Sequence, residues 1–184
     1  MLFEGLELSL RESEMVELVG PNGSGKTTLL RILAGLAGGW SGEVHAGAQQ
    51  PGWLHYLGHR AALSAGLSPL ENLRWYSELQ GGRRSVADCV EALSRVGLAG
   101  YEDVPCAQLS AGQQRRAALA RLVSDDAALW LLDEPLTALD ADGCDLVRDL
   151  LDVHIRRGGA AVCATHQPLG FEGARRVVVL GAAP

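Results

Sequence analysis

Residues 15–36 read MVELVGPNGSGKTTLLRILAGL, and no other stretch limits the fold so tightly. The apolar, β-prone run Met15–Val19 stops at Gly20, and a helical pattern over Lys26–Leu36 follows, with Gly38-Gly39 as its expected stop. Between them Gly20, Gly25, Lys26 and Thr27 satisfy G-x-x-x-x-G-K-[ST]. Glycines at this spacing let the backbone curl until successive N–H groups converge on one anion, and the following helix presents its positive end to the same point. Lys26 is the only lysine, every other member of the Lys/Arg pair being arginine. An ammonium is a compact charge on a flexible stem and enters a ring of amides more easily than a guanidinium fork does. The expected ligand is therefore a nucleotide phosphate, held by Gly20, Pro21, Asn22, Gly23, Ser24, Gly25, Lys26, Thr27 and Thr28. In this reading Lys26 bridges the β- and γ-phosphates and the Thr27 hydroxyl ligates Mg²⁺.

The 184 residues are 47% apolar, enough for one domain with a subdomain inserted in it. A net charge of −6 and a pI near 5.3 argue against nucleic acid as a partner, since that affinity rests on many cationic contacts. The arginine pairs beginning at Arg83, Arg115, Arg156 and Arg175 read as solvated faces instead. No apolar run approaches the roughly 18 residues of a membrane span, and the start MLFEGLELSLRESEM has no basic segment leading an apolar one, so cytoplasmic residence is expected. Cys89, Cys106, Cys144 and Cys163 are too widely spaced for a C-x-x-C pair and read as free structural thiols. His55 and His59 are four apart in a strand and its exit, where that spacing does not make a metal pair.

Along the chain, β-prone runs alternate with helical ones, which favours an α/β sheet covered by helices. Gly42–Ala46, Trp53–Leu57, Ala128–Leu132, Ala160–Ala164 and Val177–Leu180 are the further strands expected. Ser68-Pro69-Leu70-Glu71 has the serine, proline and glutamate of a capping box and predicts a helix to about Leu79. Ser85 with Asp88 opens another in the same way. Further helices are expected over Ala111–Val123 and Ala141–Arg156. The largely helical stretch 61–109 thus interrupts the alternation as an inserted subdomain, leaving 1–60 and 110–184 as the core of a single 1–184 domain.

Four later stretches bear on chemistry. At Leu109-Ser110-Ala111-Gly112-Gln113 a helix begins, with Ser110 placed to cap it and Gly112 to admit a close backbone approach. LWLLDE, Leu129 to Glu134, is a buried strand delivering two acids at its carboxyl end, where open α/β sheets bind ligands. Asp133 can hold Mg²⁺ through water and Glu134 can polarise an attacking water. Ala138-Leu139-Asp140 follows, and Thr165-His166 closes another apolar strand, where His166 can sense a γ-phosphate. A nucleotide kinase shares the first motif and the chain length, but it has no use for the segment around Ser110.

In this order the phosphate loop, LSAGQ, LWLLDE, ALD and TH resemble the nucleotide-binding domain of ATP-binding cassette (ABC) proteins over nearly the whole chain. The resemblance implies a P-loop NTPase of α/β class with a RecA-like core and an ABC-type helical subdomain, its usual N-terminal strand apparently missing. It implies ATP and Mg²⁺ as ligands and a head-to-tail, ATP-dependent dimer of the chain with itself. There Ser110, Gly112 and Gln113 of one copy complete the site built on Lys26 of the other, with Asp140 in the dimer loop. Lys26, Glu134 and His166 are the implied catalytic residues, and Thr27 and Asp133 the metal ligands. The phrases YLGH, LENLRWY, LSAGQQRRAALARL, LWLLDEPLTALD and THQPL further resemble the haem-exporter ATPases of bacterial cytochrome c maturation. That family tends to show histidine where other cassettes place a nucleotide-sensing glutamine, here His59. It implies peripheral attachment to the cytoplasmic face of the inner membrane through a CcmB-like integral membrane permease subunit. Leu67, Leu70, Leu73 and Trp75 are candidates for the docking patch. Phe3 lies too close to the phosphate loop to serve as the aromatic platform that cassettes provide for adenine.

Overall fold

The computed structural model describes residues 2–47, 52–82, 84–123, 127–166, 168–171, 173 and 175–181; Arg83, and Gln167 of the THQPL phrase, lie outside them. By contact density the chain forms two compact units. The first comprises Met1–His59, Ala127–Pro135 and Leu151–Pro184, and the second Arg60–Asp126 and Leu136–Leu150. The second unit therefore holds the stretch read as an insert together with the helix over Ala111–Val123 and residues 136–150.

The first unit is built on a five-stranded sheet. Its strands are β1 (Met15–Val19), β2 (Leu54–Leu57), β3 (Leu129–Asp133), β4 (Ala160–Ala164) and β5 (Arg175–Val179), in the order β2-β3-β4-β1-β5. All four pairings are parallel, so every strand points its carboxyl end to one edge. Helix α1 (Lys26–Leu33) follows β1 directly and sets Leu29 and Leu30 against Val16, Leu18, Leu131, Val162, Ala164 and Leu180. Phe3, Leu6, Leu8 and Leu10, each partly buried, pack on the same cluster, and the ring of Phe3 also lies against Gly25. Burial on both faces explains why LWLL and AAVCA carry no polar alternation.

A buried carboxylate also lies inside the first strand of this sheet. Glu17, on β1, is 2% exposed, and its carboxylate accepts from the Leu169 amide at 3.0 Å and from Arg175 Nη1 at 3.0 Å. On β3, Trp130 stacks against His154 with ring centroids 3.9 Å apart, and His154 Nε2 lies 3.0 Å from the Ala160 carbonyl. A Cβ on Gly159 would come within 2.2 Å of that imidazole, so the stack requires glycine there.

The second unit contains α2 (Pro69–Leu79), α3 (Val86–Arg95), α4 (Ala111–Val123) and the first part of α5 (Ala141–Arg156). Both capping boxes form as expected: Ser68 Oγ accepts from Glu71 N at 3.2 Å, and Ser85 Oγ accepts from Asp88 N at 3.1 Å. Asn72 is buried and donates to the carbonyls of Ser64 and Ser68, at 3.0 Å each. It thereby ties the loop before α2 to the helix itself.

Four expectations change. The arginine pair at Arg115 is not a solvated face, since Arg115 is 4% exposed. Gly42–Ala46 forms no strand: Glu43, Val44 and His45 are exposed and no pairing of the sheet includes them, and β-propensity without a paired neighbour does not hold a strand. Helix α1 ends at Leu33 rather than Leu36, because Gly35, at φ 70°, closes it. Gly35 N donates to Ile32 O and Leu36 N to Arg31 O, a Schellman stop one turn before Gly38. Leu73 is 1% exposed and belongs to the core, leaving Trp75, at 55%, as the openly exposed member of the four proposed docking residues.

Replacing Glu17 by alanine leaves Arg175 and the Leu169 amide without their acceptor, and is expected to cost about 3 kcal/mol in urea unfolding. Arg175→Ala should cost less, because that side chain is partly solvated. Burial pushes the thiols of Cys89, Cys106 and Cys163 up from their ordinary value. Under native conditions an alkylating reagent should therefore label Cys144 alone, with the other three reacting only on unfolding.

Candidate nucleotide-binding site

The site grows out of the carboxyl edge of the first unit's sheet. Where β1 leaves it, Gly20 has φ 153°, and a Cβ there would stand 2.3 Å from the Leu180 carbonyl oxygen and 2.8 Å from Ser24 Oγ. No side chain fits, so only glycine permits the turn. Gly23 and Gly25 also take positive φ, 82° and 97°, which completes the curl ahead of α1. Lys26 is 7% exposed and its ammonium turns back into the loop, donating to Gly20 O at 2.6 Å and Pro21 O at 3.1 Å. An ammonium has three donors, so one remains for a further acceptor. Ser24 Oγ is buried without a hydrogen-bond partner. A spare cationic donor and an unsatisfied hydroxyl inside a glycine loop at a helix N-terminus fit a bound phosphate.

The strand ends bring the distant residues to this loop. Thr27 Oγ1 lies 3.0 and 2.9 Å from the two carboxylate oxygens of Asp133, 106 residues further along the chain. Asp133 is 1% exposed, and these oxygens are the hard donors expected of a magnesium ligand pair. Glu134 follows at φ 50°, a left-handed conformation uncommon outside glycine, with its amide donating to Ala164 O at 2.8 Å. Its Oε2 stands 2.7 Å from Nδ1 of His166. The structure thus gathers Lys26, Thr27, Asp133, Glu134 and His166 at one edge, as their positions after β1, β3 and β4 predict.

His59 stands exposed just beyond β2, on the same edge. A neighbour that sequence reading passed over is Tyr56. Burial, and then the Asp133 carboxylate, push its phenol up from the ordinary value, while Arg31 opposes them. Its ring packs over Gly58, where a Cβ would lie 3.3 Å away. Its place one residue short of the strand's carboxyl end was the available signal.

Ser110, Gly112, Gln113 and Asp140 belong to the second unit and cluster there. Ser110 N donates to Gln113 Oε1 at 2.9 Å while Ser110 Oγ accepts from Gln113 N at 3.2 Å, a capping box that starts α4. A Cβ on Gly112 would lie 3.1 Å from the carbonyl of Ala138, itself at φ 64°. Glycine at 112 therefore already serves a close approach within the chain.

A family model described as ABC transporter matches residues 3–137. The cytochrome c biogenesis ATP-binding export protein CcmA of Methylococcus capsulatus is 47% identical over 181 residues, covering 94% of this chain and 87% of that protein. The protein of the same description from Escherichia coli strain K12 is 45% identical over 179 residues, covering 91% and 83%. Among solved structures, a dimeric post-hydrolysis state of the ATP-binding cassette MJ0796 bound to ADP and Pi matches with a TM-score of 0.86 at 26% identity, covering 97% of this chain and 86% of that one. Another dimeric structure of MJ0796, a bacterial ABC transporter cassette, matches with a TM-score of 0.85 at the same identity and coverage. The fold is that of an ABC ATPase cassette, and the chain belongs to the ABC transporter family and, within it, to the cytochrome c biogenesis ATP-binding export proteins.

Proposed function

We propose that this chain hydrolyses ATP as the energy-coupling subunit of a haem-export complex for c-type cytochrome biogenesis, whether the cargo is haem itself or a loaded haem chaperone awaiting release. The observation that carries the ATPase reading is the meeting of Lys26, Thr27, Asp133, Glu134 and His166 at one sheet edge. The haem-export reading rests on the relatives.

ATP binds with its phosphates in the Gly20–Thr28 loop, where the curled amides and the positive end of α1 face them. Lys26 exchanges a loop carbonyl for β- and γ-phosphate oxygens and stabilises charge on the transferring phosphoryl group. Thr27 and Asp133 would hold Mg²⁺, which would supply positive charge beside the phosphates. Two protein oxygens with phosphates and waters suffice for that ion, and among the described residues no group of three or more His, Cys, Asp or Glu forms a metal cage.

Glu134 keeps one carboxylate oxygen on His166 and can turn the other to the attacking water. Water oxygen bonds to the γ-phosphorus, the bond to the bridging oxygen breaks, ADP leaves with that electron pair, and the water proton passes towards Glu134. With Nδ1 engaged by Glu134, His166 presents Nε2 to the γ-phosphate. That nitrogen can donate only when the ring carries both protons.

The site closes when two copies meet head to tail, Ser110, Gly112 and Gln113 of one facing the ATP of the other. Trp75 and the surrounding helical surface of the second unit turn towards an integral membrane permease subunit at the cytoplasmic side of the inner membrane.

Glu134→Gln is expected to lower kcat at least about 100-fold while ATP binding persists, and to accumulate an ATP-dependent dimer on size exclusion. An active variant would overturn the assignment of Glu134, and phosphorylation of an added nucleotide acceptor would favour a kinase. Thr27→Ala should raise the Mg²⁺ concentration needed for half-maximal hydrolysis, read by titrating the metal at fixed ATP. Copurification of the chain with its permease, and loss of holocytochrome c in cells carrying Glu134→Gln, test the export role.

A further inference from the structure

Arg116, on α4, is used by none of the steps above, yet its guanidinium joins three elements of the second unit. Its Nη2 donates to Asp140 Oδ1 at 2.6 Å, and its Nη1 donates to the Val96 carbonyl at 3.1 Å. Val96 is the C-cap of α3. The next residue, Gly97, takes φ 77°, and a Cβ on it would lie 3.0 Å from Arg116 Nη1, so that stop also clears room for the guanidinium. Gly97 N donates to Ser94 O and Leu98 N to Leu93 O, closing α3 in a Schellman motif. Asp140 in turn caps α5: its Oδ1 also accepts from Gly143 N at 3.0 Å.

The charges alternate along this line. The carbonyl end of α3 is the negative pole of its dipole, Arg116 is positive, Asp140 is negative, and the amide end of α5 is the positive pole. Arginine suits the position because its planar fork satisfies two acceptors in fixed directions, which an ammonium cannot do with the same geometry. Arg116 also holds the Asp140 carboxyl below its ordinary range, first by this hydrogen bond and then with the help of the Gly143 amide.

What the strut holds is the segment 136–140. Ala138, at φ 64°, is in a conformation that needs outside support, and its carbonyl rests 3.1 Å from the place a Cβ would occupy on Gly112. Ser110 and Gly112 begin the same helix that carries Arg116. The two segments read as facing a second copy are therefore clamped to each other by one side chain behind them.

We propose that Arg116 is a positioning residue for the ATPase reaction: it locks the Ala138–Asp140 loop to the start of α4, so that both reach the nucleotide of the partner copy in register. This rests on the dimeric ATPase reading above. Arg116 touches no substrate, and the phosphate loop that binds ATP in each copy is in the other unit.

The test compares full-length wild type with Arg116→Ala, Arg116→Lys, Asp140→Ala and the double alanine variant, in steady-state Mg-ATP hydrolysis. Arg116→Ala should lower kcat about tenfold or more with KM changed less than about threefold, the signature of an interaction needed after binding. The lysine variant should recover part of that loss, and the double variant should be no worse than the worse single one. Hydrogen exchange on the nucleotide-free proteins should show faster exchange over 136–143 in Arg116→Ala and unchanged protection in β1, β3 and β4. A kcat within twofold of wild type, losses that multiply in the double variant, or unchanged exchange over 136–143 would overturn the proposal. Failure of the ATPase reading itself would show separately, as a wild type that does not hydrolyse ATP.

Discussion

The ladder of backbone hydrogen bonds runs on past the ends of the strands, and the candidate site depends on that continuation. Thr165 N donates to Leu18 O at 3.0 Å, Glu134 N to Ala164 O at 2.8 Å, and Leu180 N to Val19 O at 2.8 Å. The first residue after each of β3, β4 and β5 therefore remains in sheet register. These three amides are held where the parallel ladder sets them, and at the same edge Thr27 Oγ1 and the Asp133 carboxylate meet at 3.0 and 2.9 Å. A constellation fixed in advance has little left to reorganise when charge develops in a phosphoryl transfer.

The same edge concentrates the irregular backbone. Gly20 and Glu134 occupy conformations that cost free energy elsewhere in a chain, and both lie one residue beyond a strand. Each is tied on more than one side: Gly20 by the crowding of Leu180 and Ser24, Glu134 by its amide bond to β4 and its carboxylate contact to His166. Two buried charged groups of this unit are both tied by hydrogen bonds, Lys26 to loop carbonyls and Glu17 to Arg175 and an amide. Their remaining capacity differs. Glu17 has both carboxylate oxygens in use as a structural tie, whereas Lys26 keeps a donor in reserve.

In the second unit, order comes from helix ends instead of a ladder. Ser68, Ser85, Ser110 and Asp140 each satisfy the opening amides of a helix, and Gly97 and Arg116 satisfy the close of α3. Capping contacts are short-range and individually modest.

Local chemistry was legible wherever a few adjacent residues decide the outcome. The serine caps, the glycine loop, the span of α4 and α5, and the two acids closing β3 all follow from side-chain geometry within four residues. Gly42–Ala46 was misread because a strand exists only when another strand pairs with it, and local composition does not contain that partner. The end of α1 was misread because Gly35 and Gly38 both offer a left-handed stop, and the choice falls to the one whose amides reach open carbonyls. The order β2-β3-β4-β1-β5, the approach of Thr27 to Asp133, the contact of Glu134 with His166 and the span of Arg116 from Val96 to Asp140 were decided by tertiary structure alone. Each joins residues at least 20 positions apart, and a sequence lists such residues without the sheet register or helix packing that makes them neighbours. What the sequence by itself determined is the inventory of chemical groups and their local conformations; which groups meet was left to the fold, because contact is a property of the packed chain.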